Sequence, residues 1–177
     1  MNQIDFPNKI VELLEKLNSP ERLSRHLQIV YSTAYELLSQ IKKEWSVIEL
    51  DEELILFGAG THDIGKTKIK SEIFNSGKEH ETVGKRILEE LGLAETESRF
   101  ALTHGNWKES DLLLEDLLVS LADKIWKGKR VEELEERVGH AIANKLKVDY
   151  WDVYVKLDKI LEEISIGADE RLIWQNQ

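Results

Sequence analysis

The sequence lacks several features that would place it in other classes of protein. It has no cysteine, which excludes disulfide bonds and thiolate metal ligands, so a metal site would depend on His, Asp and Glu. It has two prolines, both near the N-terminus, and no apolar run long enough to cross a membrane. The first residues lack the basic start and apolar core of a signal peptide. We therefore expect a cytoplasmic protein with no membrane partner.

The chain also lacks an excess of positive charge. Its formal net charge is -10, from 24 Lys and Arg residues against 34 Asp and Glu residues. This balance disfavours general nucleic-acid binding, because the phosphate backbone repels an acidic surface. A small phosphorylated substrate remains compatible with the composition if a local cluster of positive charge receives it. The composition leaves the oligomeric state open.

Helical periodicity dominates the chain, and no alternating apolar–polar run is long enough to support a sheet. We predict an all-α bundle of about six to eight helices in one domain covering residues 1–177. Its metal-site core would lie at about residues 20–130, with C-terminal helices at 131–177 packing on it. Ser19 and Asp51 are predicted to cap helices, and Gly65 to stop one. Trp151, Tyr154, Leu157, Leu161 and Ile164 are predicted to be a buried stripe.

Several histidines and aspartates interrupt the apolar helical faces. One histidine on such a face is more often a hydrogen-bonded core residue than a ligand. An isolated buried aspartate, however, is unfavourable unless it is paired or bound to a cation. One metal centre would account for the whole set if the helices converge. The set comprises His26, His62, Asp63, His80, His104 and Asp123.

The order His, His-Asp, His, His, Asp resembles the HD superfamily of helical, metal-dependent phosphohydrolases. The segments "HDIGKTKI" and "EHETVGKRILEELG" also resemble the HD-GYP branch, which cleaves cyclic dinucleotides. The Gly-Tyr-Pro segment of that branch is missing, and "THGNWKES" stands in its place. The resemblance therefore implies the metal site and not the cyclic-dinucleotide activity.

The resemblance implies two metal sites that share Asp63. The first would be held by His26, His62, Asp63 and Asp123, and the second by Asp63, His80 and His104. Nitrogen and carboxylate ligands suit divalent Fe, Mn, Co, Ni or Zn, with Mg as a further candidate. One or two such ions would activate a hydroxide that attacks a phosphate ester or anhydride.

Other residues are candidates for binding the substrate. Lys66 follows Asp63 by three positions, and its ammonium could neutralise a phosphate oxygen; the alternative is a solvated lysine at a helix end. Asn106 and Trp107 follow His104 and could line the pocket, although Trp107 could equally be core. Lys127 belongs to "KIWKGKR", a cationic segment after Asp123 that a solvated helix end would also explain. Thr61 and Thr103 precede metal histidines and could hydrogen-bond to them.

The sequence thus predicts a metal-dependent phosphohydrolase acting on a small molecule, with a nucleotide as the favoured substrate. Two alternatives stay open. Some HD proteins use the same six ligands for a mixed-valent di-iron oxygenase. The second alternative is a non-catalytic, nucleotide-binding regulatory module. The full ligand set argues against this alternative, because a site without activity would be expected to lose ligands.

Overall fold

The structure is a computed structural model that describes residues 4–177. Within that range it contains no strand, so the predicted all-α class is confirmed. Among residues 4–177, eight α-helices have eight or more residues, and two short α-helices have four. The α-helices are α1 (Asn8–Lys16), α2 (Glu21–Glu44), α3 (Glu52–Thr61), α4 (Glu79–Glu90), α5 (Glu95–Ser98), α6 (Phe100–Thr103), α7 (Leu114–Ile125), α8 (Glu132–Leu146), α9 (Tyr150–Ile166) and α10 (Ala168–Gln175). Two 3₁₀ helices, Ile64–Thr67 and Lys70–Ile73, lie between α3 and α4.

Helix α2 is the longest element, and it packs against α3, α7, α9 and α10. The largest hydrophobic cluster joins the C-terminal half of α2 to α7, α8 and α9. A second cluster joins α1 and the N-terminal half of α2 to α3 and α4. Helices α8 and α9, which lie in the region predicted to pack on the metal-site core, pack on α7 and α2. None of the helices within residues 4–177 combines the length and the apolarity needed to cross a membrane.

Two local predictions about helix ends had different outcomes. The Asp51 cap is confirmed, because its side chain accepts a hydrogen bond from the Leu54 amide at 3.0 Å. The Ser19 cap is wrong. Helix α2 begins at Glu21 after Pro20, and the Ser19 hydroxyl instead accepts a hydrogen bond from Ser24. Because proline fixes its own backbone angle, the helix starts one position later without a side-chain cap.

The predicted buried stripe of α9 is wrong for Trp151, which is 67% exposed. The buried face of the helix contains Val153, Leu157, Ile160, Leu161 and Ile164. Trp151 lies at the side of this face and packs edge-on against two tyrosines, Tyr150 and Tyr154. Trp151 therefore lies outside the core that the rest of α9 helps to form, whereas Tyr150 packs against that core and Tyr154 is half-buried.

Gly65 is not the helix stop that the sequence suggests. Helix α3 ends at Thr61, and Gly65 lies inside the first 3₁₀ helix. A Cβ atom at Gly65 would lie 2.0 Å from the His80 carbonyl oxygen and 2.7 Å from the Gly84 nitrogen. Gly65 therefore permits close backbone contact between the 3₁₀ helix and α4, which brings Asp63 and His80 together.

We predict that Gly65→Ala destabilises the fold by roughly 1–3 kcal/mol, because backbone atoms cannot move aside as a flexible side chain can. Gly84→Ala is the matched comparison: its Cβ would meet the Ala101 Cβ and the Gly65 nitrogen at 3.1 Å, so a smaller loss is expected. Urea denaturation of both variants measures the difference. Unchanged stability of Gly65→Ala would contradict the close contact.

Candidate metal centre

Five segments of the chain bring the six predicted metal residues together in the interior. Each residue lies within a helix or directly beside the end of one, and Asp63 directly precedes the first 3₁₀ helix, so the surrounding helices hold the backbone of all six. His26 and Asp123 lie on α2 and α7, and His80 lies in the first turn of α4. His62 and His104 directly follow α3 and α6. All except His26 are buried, and the His26 side chain is only 12% exposed.

Asp63 is the centre of this group, and its two oxygens face different histidines. The Oδ2 atom lies 3.1 Å from the Nε2 atom of His26. The Oδ1 atom lies 2.9 Å from Nε2 of His80 and 3.4 Å from Nε2 of His104. One carboxylate therefore faces two separate sets of nitrogen atoms.

Asp123 completes the first set. Its Oδ1 atom lies 3.5 Å from Nε2 of His62 and 3.6 Å from Nε2 of His26, and these two nitrogens are 3.3 Å apart. The polar atoms thus form one group at Oδ2 of Asp63 and another at Oδ1. This grouping has the same membership as the two sites that the family resemblance implies.

Hydrogen bonding at the outer nitrogens determines which atom each histidine presents to the centre. In three rings the Nδ1 atom faces an oxygen acceptor. These contacts join His62 to the Ala59 carbonyl at 2.9 Å, His104 to the Phe100 carbonyl at 3.1 Å, and His80 to the Glu72 carboxylate at 2.5 Å. Nδ1 therefore carries the hydrogen, and in a neutral ring Nε2 presents a lone pair.

These lone pairs face carboxylate oxygens, which are also acceptors, so positive charge is needed between them. Nε2 of His80 is buried and makes no hydrogen bond within the described residues, although Asp63 lies close to it. Groups of His, Asp and Glu in this region are close enough to hold a metal ion. Imidazole nitrogen and carboxylate oxygen suit first-row divalent ions, so the residues fit the implied metals.

The electrostatics of the two aspartates agree with this arrangement. Burial alone would raise the pKa of Asp63, but the His62 charge and contacts with the three other histidines hold that pKa well below its usual range. Burial also acts to raise the pKa of Asp123, and His62 and Lys124 lower it. Positive charge in the centre, carried by the rings or by a bound cation, therefore keeps both carboxyls ionised.

Two lysines point into the centre. The Lys66 ammonium lies 2.5 Å from Oδ2 of Asp63, which places it beside the carboxylate and not in bulk solvent. The Lys124 ammonium lies 2.6 Å from Oδ2 of Asp123. Each aspartate therefore has a cationic partner in addition to the histidines that face it.

A cleft of about 280 Å³ opens beside the centre and is lined by His26, Asp63, Lys66 and Lys127. Asn106 and Trp107 are not among the described residues that line it. Trp107 packs against the hydrophobic cluster of α2, α7, α8 and α9. This contact agrees with the alternative prediction that Trp107 belongs to the core. Arg22 and Gln175 also line the cleft. Sequence reasoning missed them because they come from two helices, α2 and α10, that are far apart in the chain.

Three side chains have other partners than the sequence suggests. The Thr61 hydroxyl donates to the Phe57 carbonyl, and Thr103 donates to the Asp116 carboxylate, so neither binds the histidine that follows it.

Arg130 of the cationic segment pairs with Glu135 on α8 and with Asp158 on α9. Arg130 therefore joins α8 and α9.

Glu72 is a residue of the centre that sequence reasoning missed. Its carboxylate contacts Nδ1 of His80 and also accepts hydrogen bonds from the amides of Glu79 and His80, at 3.2 and 3.1 Å. It thus orients the His80 ring while capping the start of α4. Glu72 lies in a four-residue 3₁₀ helix, where helical periodicity provides no signal.

We predict that Glu72→Gln weakens the second bound metal ion by about 10- to 100-fold, because the ring of His80 loses a charged hydrogen-bond partner. Calorimetric titration of the metal-free protein with Mn²⁺ measures this change. Glu79→Gln alters an exposed carboxylate of the same helix and serves as the control. Equal affinities in both variants would show that Glu72 does not support the centre.

The chain matches known proteins across this region. A model of the HD domain matches residues 10–126, which is more than half of the 177 residues and includes all six predicted metal residues. An uncharacterised protein of Methanocaldococcus jannaschii is 33% identical over 153 residues, covering 74% of this chain and 85% of that protein. No solved structure gives a significant match. The chain belongs to the HD-domain family.

Proposed function

We propose that the protein is a metal-dependent phosphohydrolase that cleaves a phosphate ester or anhydride of a small molecule, with a nucleotide as the favoured substrate. The HD-domain family consists mostly of metal-dependent hydrolases, which supports the reaction class. The observation that carries the proposal is the cleft beside Asp63, because three cationic side chains meet there next to the candidate metal residues. These are Arg22, Lys66 and Lys127.

This concentration of positive charge stands out in an acidic chain. With a net charge of -10, the protein as a whole repels anions. A cleft with three cations on its walls attracts a phosphate group locally, and the attraction is strongest where water is excluded. An uncharged substrate would gain nothing from this arrangement.

The size and remaining lining of the cleft favour a small organic phosphate. Its volume of about 280 Å³ lies just below the roughly 300–1,000 Å³ typical of small-molecule sites. Leu23, Ile73 and Leu172 contribute apolar surface, and Gln175 contributes an amide. The phosphate would therefore lie towards Asp63 and the organic group towards the apolar wall.

The residues of the centre have separate roles in this proposal. Bound cations would supply an activated water nucleophile and offset the charge that develops on the phosphoryl group. Asp63 would be a ligand of both ions, because its two oxygens face the two groups of histidines. Lys66 lies beside Asp63 at the cleft and would neutralise a phosphoryl oxygen. Lys127, exposed at the cleft, would attract the incoming anion.

The first test combines metal analysis with phosphate release from a panel of nucleotides in Mn, Co, Fe, Ni, Zn or Mg. We expect close to two ions per chain and metal-dependent release of phosphate that Asp63→Ala abolishes, because that variant loses the shared ligand. Two irons with oxygen-dependent activity and no phosphate release would favour the di-iron oxygenase. Tight nucleotide binding without turnover in the metal-loaded protein would favour the regulatory module.

A second prediction concerns Lys66. We expect Lys66→Ala to lower kcat/KM by about 10²- to 10³-fold, because a charge aimed at the phosphoryl group is removed. Lys68→Ala is the matched control, since Lys68 is exposed two positions away. Metal content should stay unchanged in both variants. Equal kcat/KM values would remove Lys66 from the mechanism without affecting the metal centre.

A further inference from the structure

A buried carboxylate beside the second group of histidines has no role in the centre described so far. Glu81 follows His80 on α4 and is only 5% exposed. Within residues 4–177, no Lys or Arg side chain forms an ion pair with Glu81. Burying an unpaired carboxylate is unfavourable, so a cation is expected nearby.

The contacts of Glu81 hold its carboxylate against the turn that follows His104. Its Oε2 atom accepts a hydrogen bond from the Asn106 amide at 2.8 Å. A Cβ atom at position 105 would lie 2.2 Å from Oε1 of Glu81, so the close approach depends on Gly105. Asn106 also donates to the Leu102 carbonyl at 2.8 Å, which fixes its own orientation.

Glu81, His80 and His104 each place one ligand atom within 4.8 Å of the other two, and all three residues are buried. Nε2 of His80 also lacks a hydrogen bond within the described residues. We propose that Glu81 is a further ligand of the second metal ion, together with Asp63, His80 and His104. This inference rests on the proposed metal-dependent function.

With Glu81 assigned as a ligand, the two halves of the centre have equal numbers of candidate ligands. The first half has four candidate ligands from the protein, whereas the second has three without Glu81 and four with it. A second carboxylate also adds negative charge and hard oxygen, which favours Mn and Mg over softer ions. Asn106 then has a physical role, because carboxylates that bind metals are usually held by a hydrogen bond from a neighbouring group.

The test is Glu81→Gln, which keeps the size of the side chain and an oxygen that can accept the Asn106 hydrogen bond. Calorimetric titration of the metal-free protein with Mn²⁺ measures both binding steps, and elemental analysis after dialysis measures the ions retained. We expect the second ion to bind at least about tenfold more weakly and the first to bind as in the wild type. Glu79→Gln, on the exposed face of the same helix, should retain both ions.

Two outcomes would overturn the assignment. Unchanged affinity for the second ion in Glu81→Gln would show that the carboxylate is not a ligand. An equal loss of both affinities, with a lower melting temperature of the metal-free variant, would show that Glu81 only supports the fold. In either case a wild type that binds two ions and releases phosphate would leave the proposed function intact, whereas a wild type that binds no ion would overturn both.

Discussion

The structure depends on one constraint: the Asp63 carboxylate is buried among imidazole nitrogens, which present lone pairs when the rings are neutral. Carboxylate oxygens and ring lone pairs repel one another, and removal from water makes this repulsion more costly. Positive charge must therefore occupy the space between them. Because the Nδ1 hydrogens of His62, His80 and His104 are committed to acceptors outside the centre, their Nε2 atoms remain directed inward. The outer hydrogen bonds thus orient ring nitrogens that could hold a cation in the interior.

The course of the backbone also places Asp63 among the histidines. Helix α3 ends before His62, and the chain continues in a 3₁₀ helix that is in close contact with α4 at Gly65. This break turns Asp63 towards the rings, which a continuous helix would not do, since His62 and Asp63 would then point about 100° apart on its surface. Glu72 fixes the other side of the contact by capping α4 and holding the ring of His80.

The sequence was sufficient for the helical class and for most of the long helices, because apolar spacing is a local property of the chain. It also identified the six residues that the structure brings together, since each interrupts an apolar face. It did not identify Glu72, Glu81 or the helix α10, and it gave Gly65 the wrong role. Their roles depend on contacts between distant segments, and helical periodicity contains no information about such contacts. Trp151 was misplaced because hydrophobic spacing does not show where a helix leaves the core.

The residues that line the cleft come from two parts of the chain. Asp63, Lys66 and Lys127 come from or directly follow the region matched by the HD-domain model, whereas Leu172 and Gln175 come from α10, beyond residue 126. Arg22 links the two parts, because it lies on α2 and hydrogen-bonds to Asn176 after α10. In the proposed hydrolase, the residues around the phosphate therefore belong to the matched region or, in the case of Lys127, directly follow it, whereas part of the surface facing the organic group lies well beyond it. Relatives with the same metal residues can accordingly differ in substrate, because substrate choice depends on the side chains that line the cleft and not on the fold.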